Sequence, residues 1–309
     1  MAQVNGRPWL LGLLCVLATC ATTLTGCGVA GSSHPQDAAV VASTDVWGSV
    51  AHAVAGRHRN IKSILHGATI DPHTYQPSPG DAAAVIDSSL VIYNGGGYDP
   101  WITQMLSGHP DIKAIDAYSF VGGKDSGEQP NEHVFYDLDV AKTVADTIAD
   151  RLAALDADNS AEYHANAAEF GHQADAIATS ERSVANTYPS TSVIATEPVA
   201  YYLLKATGLV NRTPPAFMSA NENGTDPSPA DMAFVLDLVD HHQVAAVLVN
   251  PQTSTPAIAG LQDAARRAGV PVVQVTETLP DGADYLTWQR NTVNQLRDAL
   301  RAGRTDARH

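Results

Sequence analysis

Four side chains in this sequence have the types and placement to hold a divalent cation: His73, His133, Glu197 and Glu277. His73 lies in Asp71-Pro-His73-Thr-Tyr75-Gln-Pro77-Ser78-Pro79, where three prolines stiffen the loop and hold one imidazole in a fixed direction. His133 lies in Asn131-Glu-His133-Val-Phe135-Tyr-Asp137, just ahead of a helical pattern. Glu197 is locked by Pro198, and Glu277 is followed by Thr278-Leu279-Pro280. Both glutamates directly follow apolar runs that read as strands, and open α/β sheets bind ligands beyond the carboxyl ends of their strands. Two imidazoles and two carboxylates make a sound shell for Zn2+ or Mn2+. Blander readings stand beside this one. A loop histidine is usually solvated, and either glutamate could merely cap the helix that follows it. His52, His58, His66, His109, His164, His172, His241 and His242 are read as surface or packing residues.

The elements that must position these groups alternate along the chain. Ala39–Ser43, Ser63–Leu65, Leu90–Tyr93 and Lys113–Ile115 read as strands, with helices at Val46–Val54, Asp81–Asp87, Trp101–Leu106 and Asp139–Leu155. From Asn159 to Asn186 the pattern predicts one long helix. Tyr163, Phe170, Ile177 and Val184 recur every seven residues, with Ala167 and Ala174 in the same stripe and Glu162, Glu169, Asp175, Glu181 and Arg182 off it. Asn159 and Glu162 have the spacing of a capping box. At about 1.5 Å per residue the helix is roughly 40 Å long, which suits a strut joining two lobes; the alternative is one more helix of a single domain. The alternation then resumes, with strands at Ser192–Thr196, Ala245–Val249 and Val272–Thr276. Helices follow at Pro198–Ala206, Pro229–His241, Pro256–Ala268 and Tyr285–Arg301. The fold class is therefore α/β: two lobes, each a mainly parallel β-sheet flanked by helices, joined by one long rigid helix. The expected divisions are an N-terminal lobe at 39–157, the linking helix at 158–188 and a C-terminal lobe at 189–309.

The 309 residues are 44% hydrophobic and carry a formal charge of −15, which argues against nucleic acid as a partner. Arg7 followed by the apolar run Trp9–Ala21 is too short to span a membrane comfortably and right for a signal-peptide core. Leu24-Thr-Gly-Cys27 resembles a bacterial lipobox, which implies a signal peptide at 1–26, lipid on Cys27 and a small polar tether at 27–38. Cys15 and Cys20 would leave with the signal, so no disulfide is expected in the mature chain. Loss of Arg7 would take the net charge from −15 to −16.

Asp71-Pro-His73-Thr-Tyr75-Gln76-Pro77-Ser78 resembles the first-ligand motif of the metal-binding solute-binding proteins of zinc and manganese ABC importers. Leu90-Val-Ile-Tyr-Asn94-Gly95 with Trp101, and Asn159–Phe170, are similar to that family's next segment and linking helix. Thr196-Glu197-Pro198 with Tyr201-Tyr202 resembles its third-ligand segment, and Glu277-Thr-Leu-Pro280 with Tyr285 and Trp288 its fourth. Two departures are clear. Asn131-Glu132-His133 stands where the family usually has Asp-Pro-His, and Glu277 where it usually has Asp, so Asp281 or Asp284 could serve instead. The His-rich acidic loop of some zinc-binding members is missing, with only a short loop at 122–127.

The resemblance implies an extracytoplasmic, lipid-anchored receptor, expected as a monomer, that passes Zn2+ or Mn2+ to an ABC permease and its ATPase. An exported metalloenzyme of hydrolase type and an adhesin are the alternatives. No HExxH, GxSxG or Walker pattern is present, and Gly95-Gly96-Gly97 lacks the Lys-Ser/Thr of a phosphate loop. An enzyme is not expected.

Overall fold

The computed structural model describes residues 39–67, 70–122 and 129–306, with side chains to residue 303. The expected signal segment, Cys27, the tether and most of the 122–127 loop lie outside these residues. Strands β1 (Val40–Thr44), β2 (Ile61–Leu65), β3 (Leu90–Tyr93) and β4 (Ala114–Asp116) form a parallel sheet in the order β2-β1-β3-β4. Strands β5 (Ser192–Ala195), β6 (Val210–Asn211), β7 (Val247–Val249) and β8 (Val272–Gln274) form a second, in the order β6-β5-β7-β8. The two orders are one winding used twice. Each sheet reverses its strand order at β1/β3 or β5/β7, and the crevice beyond the carboxyl ends there is the natural binding place. Val40–Thr44 is buried throughout, as a central parallel strand covered on both faces requires.

The helices are α1 (Asp45–Ala55), α2 (Pro79–Ile86), α3 (Pro100–Ser107), α4 (Leu138–Leu155), α5 (Ser160–Thr187), α6 (Tyr201–Thr207), α7 (Pro215–Glu222), α8 (Pro229–Asp240), α9 (Pro256–Arg267) and α10 (Tyr285–Asp306). Helices α2 and α3 cover the outer face of the first sheet around Val41, Val91 and Ile102. Helices α8 and α9 do the same for the second around Val247, Leu238 and Leu261. The inner faces share one core. It runs from Val40 and Ile92 through Tyr163, Phe170 and Ile177 of α5 to Leu203, Leu248 and Leu296. Fully burying a side chain such as Phe170 or Ile177 is worth about 1.5–3 kcal/mol, so α5 is held by packing on α1, α4, α6 and α10.

The structure corrects the sequence reading of α5 in two places. Glu181 lies on the buried stripe, 3% exposed, because it is four residues beyond Ile177 and three before Val184. Burial pushes its carboxyl up to about 7. The capping box at Asn159 and Glu162 is not made: the Asn159 amide donates to Asp156 Oδ2 at 2.9 Å, and a 3₁₀ turn at Ala157–Asn159 leads into the helix. Strand β6 and helix α7 are further departures. A two-residue strand has no period to detect, and α7 buries only Phe217 and Asn221.

Candidate metal centre

Every group of interest stands on a loop beyond a carboxyl strand end, apart from the end of α7. The two histidines are presented by the same local device. Asp71 Oδ1 accepts from the His73 backbone N–H at 2.9 Å, and Asn131 Oδ1 accepts from that of His133 at 2.9 Å. In such an Asx turn a short side chain replaces a backbone acceptor and fixes the residue two positions on. Asn131 Oδ1 also faces His133 Nδ1 at 3.1 Å, which assigns the ring proton to Nδ1 and leaves Nε2 free to ligate. Asparagine thus fixes the ring as an aspartate oxygen in the same place would. The loop bearing His73 ends in a true capping box, with Ser78 and Asp81 bonded reciprocally at the start of α2. The Tyr75 hydroxyl also donates to Asp81, at 2.8 Å.

Across the cleft, Glu277 Oε2 lies 3.5 Å from His73 Nε2 and 3.8 Å from His133 Nε2. The ligating atoms of Asp71, His73 and Glu277 fall within 4.8 Å of one another, and so do those of His73, His133 and Glu222. His133 and Glu277 are buried, while the His73 side chain remains 23% exposed. Neither His73 Nε2 nor Glu277 Oε2 makes a hydrogen bond among the described residues. An unpaired buried polar atom costs about 1–3 kcal/mol, so two that face each other are candidates to hold a ligand. Tyr98 walls the site, with ring centroids 4.9 Å from His73 and 5.8 Å from His133, and its hydroxyl donates to the Glu277 carbonyl at 3.1 Å. Tyr98 is aimed by a tight turn in which the Asn94 and Gly95 N–H groups both donate to Asp99 at 2.8 Å. Gly95 sits at φ +77°, where a side chain would be strained and would strike the Asp116 carboxylate. Two amides that a phosphate could have used are therefore spent within the protein.

Glu197 stands beside this cluster, one amide away. The Asn250 side chain donates to Glu197 Oε2 at 2.9 Å and to Glu277 Oε1 at 2.7 Å. The Asn221 amide donates to Glu197 Oε1 at 2.6 Å, and the Thr253 hydroxyl donates to the same oxygen. Both oxygens of Glu197 are thus engaged, whereas Glu277 keeps one for the imidazoles. Burial pushes the Glu197 carboxyl up to about 7 against these donors, helped by the charges of Glu277 and Glu222. Burial, with the field of Glu132, does the same to Glu222. Burial works to lower the His73 pKa, but the close approach and negative charge of Glu277, with Asp71 and Glu132, outweigh it and raise it to about 9. Burial, together with His73, holds His133 well below its usual 6.5.

Of the two alternatives to Glu277, Asp284 caps α10, accepting from the Thr287 N–H at 2.7 Å and the Thr287 hydroxyl at 3.0 Å. Asp281 is exposed, and neither aspartate joins the cluster. The sequence reading missed Asn250, Gln252 and Thr253. Gln252 accepts from the Glu277 N–H at 2.7 Å and donates to the Ile70 carbonyl at 3.0 Å, tying the two loops together. These residues directly follow the apolar strand β7, so the rule that found Glu197 and Glu277 would have found them too. Asn221 and Glu222 carry no such signal, since they end a helix that has little apolar pattern.

Among the described residues no helix is long and apolar enough to cross a membrane. The manganese-binding lipoprotein MntA of Bacillus subtilis is 23% identical over 273 residues, covering 84% of this chain and 86% of its own. A solved structure of the solute-binding protein FpvC from Pseudomonas aeruginosa, in complex with Mn2+, superposes with a TM-score of 0.69 at 20% identity, covering 85% of this chain and 97% of that one. The laminin-binding adhesin Lmb of Streptococcus agalactiae gives 0.69 at 21%, covering 85% and 99%. At these identities the structures speak for the fold alone. The family model described as ZnuA, zinc-uptake complex component A, periplasmic, matches residues 40–299, and the chain belongs to that family.

Proposed function

We propose that this protein is an extracytoplasmic receptor that binds one Zn2+ or Mn2+ between its lobes and delivers it to an ABC permease driven by its ATPase. The observation that carries this reading is the convergence of His73, His133 and Glu277 on one point, with two buried ligating atoms left without hydrogen bonds among the described residues. The ion is held by His73, His133 and Glu277, with Glu197 as the fourth ligand once the ion draws it from its amide donors. Four protein ligands leave little room for the open position and neighbouring base that a hydrolytic metal site needs, which favours a carrier over an enzyme. Two carboxylates suit the higher coordination Mn2+ accepts, while the Irving–Williams order places Zn2+ ahead in a test tube. Cys27 carries the lipid that keeps the receptor at the membrane. Elemental analysis of protein purified from its own host without chelator identifies the ion. Metal-dependent docking to the cognate permease, without metal-dependent hydrolysis, supports the carrier, and turnover without docking overturns it.

A further inference from the structure

We propose that Glu222 is the entry ligand of this site, holding an arriving divalent cation together with His73 and His133 before the ion settles against Glu277. The inference rests on the metal-carrier reading above and adds a residue and a sequence of events to it. Three observations carry it. The ligating atoms of Glu222, His73 and His133 lie within 4.8 Å of one another, a set complete without either of the other two glutamates. Glu222 Oε1 is a buried atom with no hydrogen bond among the described residues, like His73 Nε2. Burial is also graded across the site: Glu222 and His73 are partly exposed, whereas His133 and Glu277 are closed off. Glu222 and His73 therefore lie on the solvent side of the site, and His133 and Glu277 on its closed side.

Glu197 is not available for that step. Asn221, Thr253 and Asn250 hold both of its oxygens. Glu222 is the neighbour of Asn221 in the chain and has no such tether on Oε1. The entry set offers one anionic oxygen and two imidazole nitrogens, which suits a borderline divalent ion and gives little to an alkali cation.

The test compares three variants of the full protein as it takes up Mn2+ alone, followed by stopped-flow tryptophan fluorescence. Glu222→Gln removes charge and ligand at nearly constant shape. Glu222→Asp keeps the charge but withdraws the oxygens by one methylene. Glu132→Gln removes a unit of charge that acts on both His73 and Glu222. If Glu222 ligates, both Glu222 variants slow association by at least ~10-fold, the lower end of what losing a supporting group costs a metal site. Glu132→Gln then gives only a smaller slowing that disappears with salt. The entry role is overturned if Glu222→Asp matches the wild type, or if Glu222→Gln is slowed no more than Glu132→Gln. A wild type that takes up no Mn2+ and no Zn2+ sinks the carrier reading itself, a different result from either.

Discussion

His73 Nε2 and Glu277 Oε2 face each other across 3.5 Å from opposite lobes, and neither makes a hydrogen bond among the described residues. Without a cation, a proton on His73 supplies the positive charge that Glu277 faces in this gap among the described residues, and the raised pKa of that ring expresses the same fact. At the proposed site, ion and proton compete for one nitrogen.

The reference imidazole pKa alone would place that competition near pH 6.5 and below. The geometry moves it upward. With His73 raised to about 9, His133 held neutral and Glu197 ionised above about 7, one proton leaves as each ion binds near pH 8. Apparent affinity for Mn2+ should rise close to tenfold per unit from about pH 7.5 to about 9 and then level off. Calorimetric titration in buffers of different ionisation enthalpy counts the proton directly. A count of zero at pH 8 removes the His73–Glu277 pairing.

The same linkage acts on the metal-free fold. A group whose folded pKa lies above its unfolded value stabilises fully below the latter and loses that contribution as pH rises through the former. For His73 the window runs from about 6.5 to about 9. Chelated protein should therefore lose melting temperature between pH 7.5 and about 9 while metal-loaded protein does not. At metal about a hundredfold above Kd the loaded form gains about 2.7 kcal/mol at a given pH. Identical melting curves with Mn2+, Zn2+ and chelator would show that no ion bridges the lobes.

Glu277→Ala should damage Mn2+ affinity as severely as His73→Ala, because Asp284 is committed to capping α10 and Asp281 stands clear of the cluster. Asp281→Ala should be silent. Equilibrium dialysis of the three variants decides the matter. A mild Glu277→Ala paired with a harmful Asp281→Ala would reverse the assignment.

Asn131→Ala should weaken binding by roughly 10–100-fold without touching a ligand, since it removes the acceptor that orients His133. Asn131→Asp should restore it, as the same oxygen geometry returns. If alanine binds as tightly as asparagine, the turn is not what aims the ring.

Asn250→Ala should destabilise the fold by about 1.5–3 kcal/mol or more, the worth of a hydrogen bond to a charged group. Both Glu197 and Glu277 then lose a donor and are left facing each other. Urea unfolding of the chelated protein measures it, and metal should recover part of the loss. An unchanged midpoint would mean that the bridging amide contributes nothing.

Apart from β6, the two sheets and α5 were legible because their signals are local: near-continuous apolar strands, and a seven-residue recurrence from Tyr163 to Val184. His73 was legible because its prolines and Asp71 make a motif within nine residues. Glu181 was misplaced because charge alone set it off the stripe, against its position in the helical period. Asn250 and Thr253 were overlooked because uncharged side chains do not announce chemistry, although they hold Glu197. Glu222 reaches the site only through tertiary placement of α7, which no nearby residue specifies.

The core that passes through α5 has a consequence for how the chain folds. Helix α10 closes over the first lobe: the Tyr285 N–H donates to Ser49 Oγ at 2.9 Å, between positions 236 residues apart, and the Gln289 amide donates to the Phe135 carbonyl at 2.9 Å. Such distant pairings delay folding, because the connecting chain must lose its freedom before they form. Residues 39–157 made alone would leave the α1 and α4 surfaces uncovered, and the whole chain should melt as one cooperative unit rather than lobe by lobe. An amino-terminal half made alone should therefore stay loose until the carboxyl-terminal helix arrives to cover it.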